Sequence, residues 1–199
     1  IVLSANVTSG KRIRDLPRCD ACLVQETKSD DIGGLARQIW STTGLTSHNN
    51  ASVLTPEGGL SAGVSILHRP ERQAAPPPEV VQYLLAFPPE RAIFRIVEGI
   101  LPHGVMFVSA YLFTGEGLLG RNWALLSAIG ERLRALHIPF ILGADFQNCP
   151  ELLRQTGWAD ALGARIVCPG APTCFANSNS AGSEIDYFVV SEVLLNKIT

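Results

Sequence analysis

Three acidic residues stand at the edges of apolar segments in this sequence. Glu26 and Asp145 each follow such a segment, and Asp186 precedes one. If the last segment is a strand antiparallel to the other two, all three carboxylates collect at one rim of the structure. Clustered carboxylates repel unless a cation binds there, and Mg²⁺ accepts one or two carboxylates while keeping positions for water and phosphate oxygens. The spacing is compatible with an Mg²⁺ site, but each acid taken singly is better explained as a helix cap or an ion-pair partner, so the surrounding residues must decide.

The segments that would position these acids alternate between strand and helix patterns. Strands are expected at residues 1–7, 21–25, 62–68, 80–87, 92–101, 105–113, 140–142 and 185–190. A serine cap followed by apolar residues at helical spacing predicts a helix over residues 29–40, although Gly33 and Gly34 weaken it. A clearer amphipathic pattern predicts a helix over residues 121–136, and a last helix is expected to begin after Val190. Pro102-His103-Gly104 indicates a hairpin turn.

Bulk composition fits one globular domain of packed sheets covered by helices. The 199 residues are enough for a sizeable core, and 46% hydrophobic with 17% charged residues excludes a disordered chain. Apolar runs end before membrane-spanning length, so no contact with a membrane is expected. The net charge of −2 gives no overall electrostatic footprint for nucleic acid. The cluster around Lys11, Arg12 and Arg14 is explained as well by a solvated loop or short helix as by a local contact with nucleic acid.

Five cysteines without a signal peptide indicate reduced thiols and an intracellular protein. Cys19 and Cys22 have the spacing of a metal-binding or redox pair. Residues three apart on a strand face opposite sides, so the two sulfurs converge only if Cys19 lies in the turn before the strand. Both roles are therefore disfavoured if the strand includes Cys19.

Six short segments surround these acids and occur in a fixed order. They are SAN at 4–6, VQETK at 24–28, GLSAGV at 59–64, VSAY at 108–111, GADFQN at 143–148 and SEIDYF at 183–188. This ordered set resembles the endonuclease/exonuclease/phosphatase (DNase I-like) superfamily and covers nearly the whole chain. Tyr111 makes the resemblance closest to abasic-site and retrotransposon-type endonucleases. The implied fold is an α/β, four-layer sandwich of two packed mixed β-sheets flanked by helices. One domain would span 1–199, incomplete at its C-terminus and lacking its last strand or strands.

The resemblance implies how the rim would hydrolyse a phosphodiester. Glu26 would bind Mg²⁺, with Mn²⁺ as the alternative ion, to polarise the phosphoryl oxygen. Asp145 would orient or deprotonate the attacking water. Asn6 and one amide after Asp145 would hydrogen-bond the phosphate or tune the acid, and that amide is either Gln147 or Asn148.

Two further residues complete the implied site. Tyr111 would donate a hydrogen bond to a phosphate oxygen as charge builds, and Asp186 would serve the phosphate-binding region. Taken alone, Tyr111 is better explained as a core aromatic and Asn6 as a turn former, and the ordered set of segments is what favours the functional roles.

Departures from the family pattern bear on whether the chain is an active hydrolase. Glu184 replaces the usual basic residue before Ile185, and Thr8 stands where some relatives have an acid. The family's closing Asp-His motif is expected beyond Thr199, and the four histidines present lie in other contexts. We therefore expect the fragment to be weakly active or inactive.

Several functions fit these expectations. The favoured one is a DNA endonuclease domain, acting on DNA rather than RNA, within a larger polypeptide of retrotransposon origin that carries a reverse transcriptase. A phosphatase or an RNA or lipid phosphodiesterase is the alternative on the same fold, and a degenerate non-catalytic relative is the third. A nuclear location is compatible with the favoured function, and no targeting signal is seen.

Overall fold

Strands and helices alternate along the chain in the computed structural model, which describes residues 1–78, 86–175 and 181–195. The strands are β1 (Val2–Asn6), β2 (Ala21–Gln25), β3 (Thr46–Asn50), β4 (Val53–Leu54), β5 (Leu60–Ser61), β6 (Val64–His68), β7 (Ala74–Ala75), β8 (Ala92–Val97), β9 (Val105–Tyr111), β10 (Phe140–Asp145), β11 (Ala164–Val167) and β12 (Asp186–Ser191). The helices are α1 (Ile32–Thr43), α2 (Gly120–Leu136), α3 (Pro150–Gln155) and α4 (Glu192–Leu195). Two 3₁₀ helices cover Gly10–Asp15 and Asp160–Leu162.

Two mixed sheets form the centre of the fold. The first has the strand order β1-β2-β6-β3, with β1 and β2 parallel and the other neighbours antiparallel. The second has the order β11-β12-β10-β9-β8-β7, with β9 and β10 parallel and β12 antiparallel to β10. The short strands β4 and β5 pair separately. In both sheets the central strands are buried along their whole length, which is why their sequences read as continuous apolar runs.

Three clusters of buried side chains separate four layers. The cluster between the two sheets includes Leu23, Ile66 and Phe107. A second cluster packs α1 and the first 3₁₀ helix on the outer face of the first sheet through residues such as Ile39. The third packs α2 and α3 on the outer face of the second sheet, where Leu126 contributes. The order is therefore helices, sheet, sheet, helices.

Most predicted elements occur within a few residues of their expected bounds. The hairpin around His103 is formed by β8 and β9, and the basic cluster at residues 11–14 lies on the 3₁₀ helix. The predicted strand 80–87 falls largely outside the described residues. The serine cap was wrong: α1 begins at Ile32, and the Asp31 carboxylate caps it by accepting from the Gly34 amide at 2.7 Å. The two glycines that weakened the prediction lie in the first turn, where Gly34 leaves room for the Asp31 side chain.

No helix in the described part of the chain combines the length and apolar character needed to cross a membrane.

Candidate active site

One rim of the sandwich gathers the acids that the sequence analysis singled out. The carboxyl ends of β1, β2, β9 and β10 meet the amino end of β12 there. Asp145 is paired across the ladder with Asp186 on one side and with Tyr111 on the other. Asn6 and Gln25 are paired in the first sheet, directly before Glu26. The antiparallel last strand is therefore what brings Asp186 to the rim, as expected.

The Asp145 carboxylate is buried and held by three hydrogen bonds. Asn6 Nδ2 and Gln147 Nε2 both donate to Oδ2 at 2.8 Å, and the Gln147 backbone amide donates to Oδ1 at 3.0 Å. Asp145 is only 1% exposed. Burial raises the pKa of this carboxyl, the three donors oppose the shift, and the negative charge of Glu26 adds to it.

Asp186 faces Asp145 on the neighbouring strand. Burial, and then the charge of Asp145, raise the pKa of Asp186 to about 7, while a hydrogen bond with Thr173 opposes the shift. Among the described residues no partner is found for the buried Oδ1 of Asp186. Thr173 also accepts from the Asp186 backbone amide at 3.0 Å, which anchors the start of β12 to the preceding loop. A cation near Asp145 and Asp186 would reduce the repulsion between the two carboxylates and give the Asp186 Oδ1 a partner.

Glu26 lies on the first sheet's side of the rim, with a side chain that is 16% exposed. Its carboxylate is paired with the Lys28 ammonium at 2.8 Å. Both residues have a positive φ, 59° for Glu26 and 47° for Lys28. Gln147 and Thr8 at the same rim share this left-handed conformation. Non-glycine residues adopt it rarely, and such residues concentrate where a site has been shaped for function.

Tyr111 is buried beside an arginine that the sequence analysis missed. The Arg91 guanidinium lies 4.9 Å from the centre of the Tyr111 ring and 4.2 Å from that of Phe113. Arg91 is 8% exposed, its Nε has no partner among the described residues, and burial lowers its pKa. Burial also raises the pKa of Tyr111, and the charges of Glu26 and Asp145 add to this shift. The hydroxyl of Tyr111 therefore stays protonated and able to donate.

The two candidate amides after Asp145 have different partners. Gln147 donates to Asp145 from both its backbone and its side chain. Asn148 is buried, and its Nδ2 donates to the backbone oxygen of Phe146 at 3.0 Å. In this arrangement Gln147 is the amide that contacts the acid, while Asn148 fastens the loop.

A polar network beneath the rim joins the two sheets. The Gln25 side chain is fully buried, and its Nε2 lies within hydrogen-bonding distance of Ser109 Oγ at 3.0 Å and the Gly143 oxygen at 3.1 Å, both on the second sheet. Ser109 Oγ donates in return to the Val24 oxygen at 2.8 Å. Because Gln25 directly precedes Glu26, these bonds set where Glu26 stands relative to the acids of the second sheet.

Gly143 permits this close approach of the sheets. A Cβ atom at Gly143 would lie 2.8 Å from Ser4 Oγ and 2.9 Å from Leu23 Cδ1, closer than real Cβ contacts. Gly143, two residues before Asp145 on the same strand, therefore has a role in packing the two sheets. The GADFQN segment alone did not indicate this role.

The donor set fits a divalent cation with few protein ligands. No group of three His, Cys, Asp or Glu side chains converges on one point in residues 1–78, 86–175 and 181–195. Mg²⁺ needs fewer, since it binds through one or two carboxylates and keeps several waters. The unpartnered oxygen of Asp186 and the raised carboxyl pKa values at the rim are consistent with such an ion. Glu26, whose side chain is 16% exposed, stays the predicted ligand.

The four histidines lie away from this rim. His68 ends β6 at the opposite edge of the first sheet and contacts His48, with 3.2 Å between their Nε2 atoms. His103 lies in the turn between β8 and β9, and His137 follows α2, both at the far ends of the strands that carry the acids. None of them contacts the rim acids, as their sequence contexts predicted.

Several solved structures share this fold. An endonuclease/exonuclease/phosphatase family protein from Leptotrichia buccalis matches with a TM-score of 0.60 at 15% identity, over 94% of this chain and 86% of that one. ANGEL2, a 2′,3′-cyclic phosphatase, matches with a TM-score of 0.60 at 12% identity, over 92% of this chain and 72% of that one. The human Nocturnin catalytic domain matches with a TM-score of 0.57 at 15% identity, over 87% and 69%. No protein-family model and no curated protein sequence matches the chain.

The chain therefore has the endonuclease/exonuclease/phosphatase (DNase I-like) fold. The α/β sandwich of two mixed sheets flanked by helices is confirmed. The closer resemblance to abasic-site and retrotransposon-type endonucleases stays a prediction.

Proposed function

We propose that this chain is an Mg²⁺-dependent phosphodiester hydrolase domain that acts on nucleic acid, with DNA as the favoured substrate. The observation that carries the proposal is the buried Asp145 carboxylate, held by Asn6 and Gln147 and flanked by Asp186 and Tyr111 at one rim of this fold. ANGEL2, which shares the fold, is a 2′,3′-cyclic phosphatase. Chemistry at a phosphorus centre is therefore compatible with the architecture.

The chain's own residues divide the work of hydrolysis. Glu26 would hold Mg²⁺, which when bound supplies charge stabilisation at the phosphoryl oxygen and at the departing alkoxide. Asp145 orients a water molecule and takes its proton as the water oxygen bonds to phosphorus and the ester oxygen leaves. Its raised pKa suits this task, because a base with a higher pKa accepts a proton more readily near neutral pH.

Two residues near Asp145 would bind the phosphate. The Tyr111 hydroxyl donates to a non-bridging oxygen as negative charge accumulates. Arg91, stacked on Tyr111, adds a buried positive charge on the same side. Asn6 and Gln147 keep the Asp145 carboxylate in place through their amides.

A plasmid-nicking assay with matched variants tests the proposal. The chain is incubated with supercoiled plasmid and Mg²⁺, and Glu26→Gln is compared with Glu98→Gln. Glu98 is exposed at the far end of β8, so its replacement leaves the rim intact. We expect nicking by the wild type and by Glu98→Gln, and loss of nicking in Glu26→Gln. Equal nicking by both variants contradicts the role of Glu26.

Ion binding is measured separately from activity. We expect Mg²⁺ to raise the melting temperature of the wild type and of Glu98→Gln, and to leave that of Glu26→Gln nearly unchanged. An equal rise in all three proteins places the ion elsewhere.

A non-catalytic nucleic-acid-binding relative is the second candidate. It is favoured by the positions of the four histidines, all of which lie away from the rim. Mg²⁺ binding without cleavage of DNA, RNA or a small phosphomonoester would support it.

A further inference from the structure

Cys19 and Cys22 lie together at the edge of the first sheet opposite the rim. Cys22 is fully buried on β2, where it is paired with Leu67 of β6. Cys19 precedes the strand, which begins at Ala21. Cys19 therefore lies before the strand, as convergence of the two sulfurs requires. Side chains alternate between the two faces of a sheet only within a strand, so the Cys19 side chain can lie on the same side as that of Cys22.

The two thiols contact the same cluster and each other. Cys19 packs against the buried cluster on the outer face of the first sheet, of which Cys22 is a member. The interaction between the two thiols is the largest influence on the pKa of each. Cys149 and Cys174 are exposed, and Cys168 lies 3.6 Å from an Arg154 nitrogen. All five cysteines are free thiols.

A cavity of about 610 Å³ opens beside Cys19. Arg14, Arg18 and Arg69 line it together with Cys19, and so do the acids Asp20 and Glu71. Arg69 is paired with both acids. The positive charge that a small anionic molecule would meet beside the half-buried Cys19 therefore comes mainly from Arg18, which is exposed.

We propose that Cys19 and Cys22 are a redox-active dithiol that reacts with a low-molecular-weight anionic disulfide, such as oxidised glutathione, and closes to an internal disulfide. Cys19 is the attacking sulfur, because it is half-buried at the cavity, whereas Cys22 is enclosed behind it. This site is separate from the hydrolytic rim and does not depend on the proposed function.

The exchange balances in two steps. The Cys19 thiolate attacks one sulfur of oxidised glutathione, so a mixed disulfide forms and one glutathione thiolate leaves. Cys22 then attacks the Cys19 sulfur and passes its proton to the departing glutathione sulfur, which leaves as the second glutathione thiol. Two protein thiols are oxidised and one glutathione disulfide is reduced.

The protonation behaviour of the pair supports this order of attack. The interaction with Cys22 is the largest influence on the Cys19 thiol and lowers its pKa, whereas burial and the charge of Asp20 oppose this and the charges of the N-terminus and Arg69 add to it. The same interaction, together with burial, raises the pKa of Cys22. A thiolate is the reacting species, so Cys19 reacts first.

Thiol counting and peptide mapping of the whole chain test the proposal. The reduced protein is treated with oxidised glutathione, unfolded and alkylated, and its free thiols are counted. Because Cys149 and Cys174 are exposed and react with glutathione on their own, the thiols are counted in a chain with Cys149, Cys168 and Cys174 replaced by serine, where we expect the count to fall from two to none and to return to two after reduction. Cleavage after Arg18 and Lys28 gives one peptide that contains both cysteines, which should be two hydrogen atoms lighter than its reduced form and carry no alkyl group.

Three variants make the outcome decisive. Cys22→Ala should retain one glutathione on Cys19, because the second attack is removed, whereas Cys19→Ser should leave Cys22 unreacted. A chain with Cys149, Cys168 and Cys174 all replaced by serine should still form the internal disulfide, which shows that the pair acts alone even if Cys22→Ala folds poorly. A fully alkylated peptide from treated wild type, or a mixed disulfide that persists in it, overturns the proposal.

Discussion

Replacing Asp186 by asparagine removes one of the two facing carboxylates while keeping the shape of the side chain. In metal-free protein at pH 8, we expect Asp186→Asn to be more stable than the wild type. The reason is that Asp145 and Asp186 are then both ionised in a buried setting without a cation between them.

The size of the effect follows from the pKa of Asp186. A rise from an ordinary 3.8 to about 7 corresponds to roughly 4 kcal/mol, at about 1.4 kcal/mol for each pH unit. Relaxation of the rim and the partial solvent access of Asp186 reduce this limit. We therefore expect a gain of about 2 kcal/mol in the free energy of unfolding of the variant at pH 8.

The pH dependence has a defined sign. A carboxyl whose pKa is raised on folding binds its proton more tightly in the folded state. The stability that Asp186 contributes is therefore fully present below pH 4 and is lost as pH rises toward about 7. The difference between variant and wild type should be close to zero at pH 4 and reach its maximum above pH 7.

Urea unfolding followed by tryptophan fluorescence measures this difference. The wild type and Asp186→Asn are compared from pH 4 to pH 8 in EDTA, with Asp30→Asn as a control for an exposed aspartate. An advantage that is independent of pH, or a variant less stable than the wild type at pH 8, would refute the reasoning. A control that reproduces the same pH profile would do so as well.

Three further perturbations test other parts of the structure. Burial, then neighbouring charges, lower the pKa of His48 to about 4. The stability that His48 contributes should therefore be present above pH 6.5 and lost as pH falls toward 4. In urea unfolding, His48→Asn should reduce this loss of stability at acid pH by about 1 kcal/mol, a figure discounted for the partial exposure of the side chain. Gly143→Ala should destabilise the chain by about 2 kcal/mol because the new methyl group meets Ser4, and adding Ser4→Gly should recover part of the loss in thermal melts. Gln147→Gly removes the side-chain contact with Asp145 and suits the φ of 55° at that position. If the chain nicks plasmid, this variant should lower kcat on the order of 100-fold, whereas Asn148→Ala should lower it far less.

Each of these three has an outcome that contradicts it. If His48→Asn loses as much stability as the wild type between pH 6.5 and pH 4, another group controls stability in that pH range. If Ser4→Gly gives no recovery in the presence of Gly143→Ala, the contact between the sheets is not the cause. Equal rates for Gln147→Gly and Asn148→Ala would mean that contact with the rim carboxylate does not distinguish the two amides.

The strand ends of the fold and the meeting of the acids were predictable from sequence because both depend on local pattern. Apolar runs end where acids begin, and an antiparallel last strand places Asp186 opposite Asp145. Arg91 was not predictable in this way. It follows Pro88, Pro89 and Glu90, which carry no periodic pattern, and only its packing on Tyr111 and Phe113 shows that it is buried.

Contacts between distant segments account for the other differences. The role of Gly143 depends on Ser4 and Leu23, which belong to the other sheet. The choice between Gln147 and Asn148 depends on a left-handed turn after β10, which no residue in that segment specifies. In each case the information lies in how two sheets pack rather than in a run of residues.

The division of the rim between two sheets also affects when the site can exist during synthesis. Asn6 donates to a carboxylate that lies 139 residues later in the chain, and at about 10 residues per second a ribosome needs roughly 14 s to make that stretch. Until Asp145 has left the ribosome, Asn6 and Glu26 lie on a lone sheet with no acid opposite them. A nascent chain therefore gains any capacity to cut its substrate only when the second sheet docks, late in its synthesis.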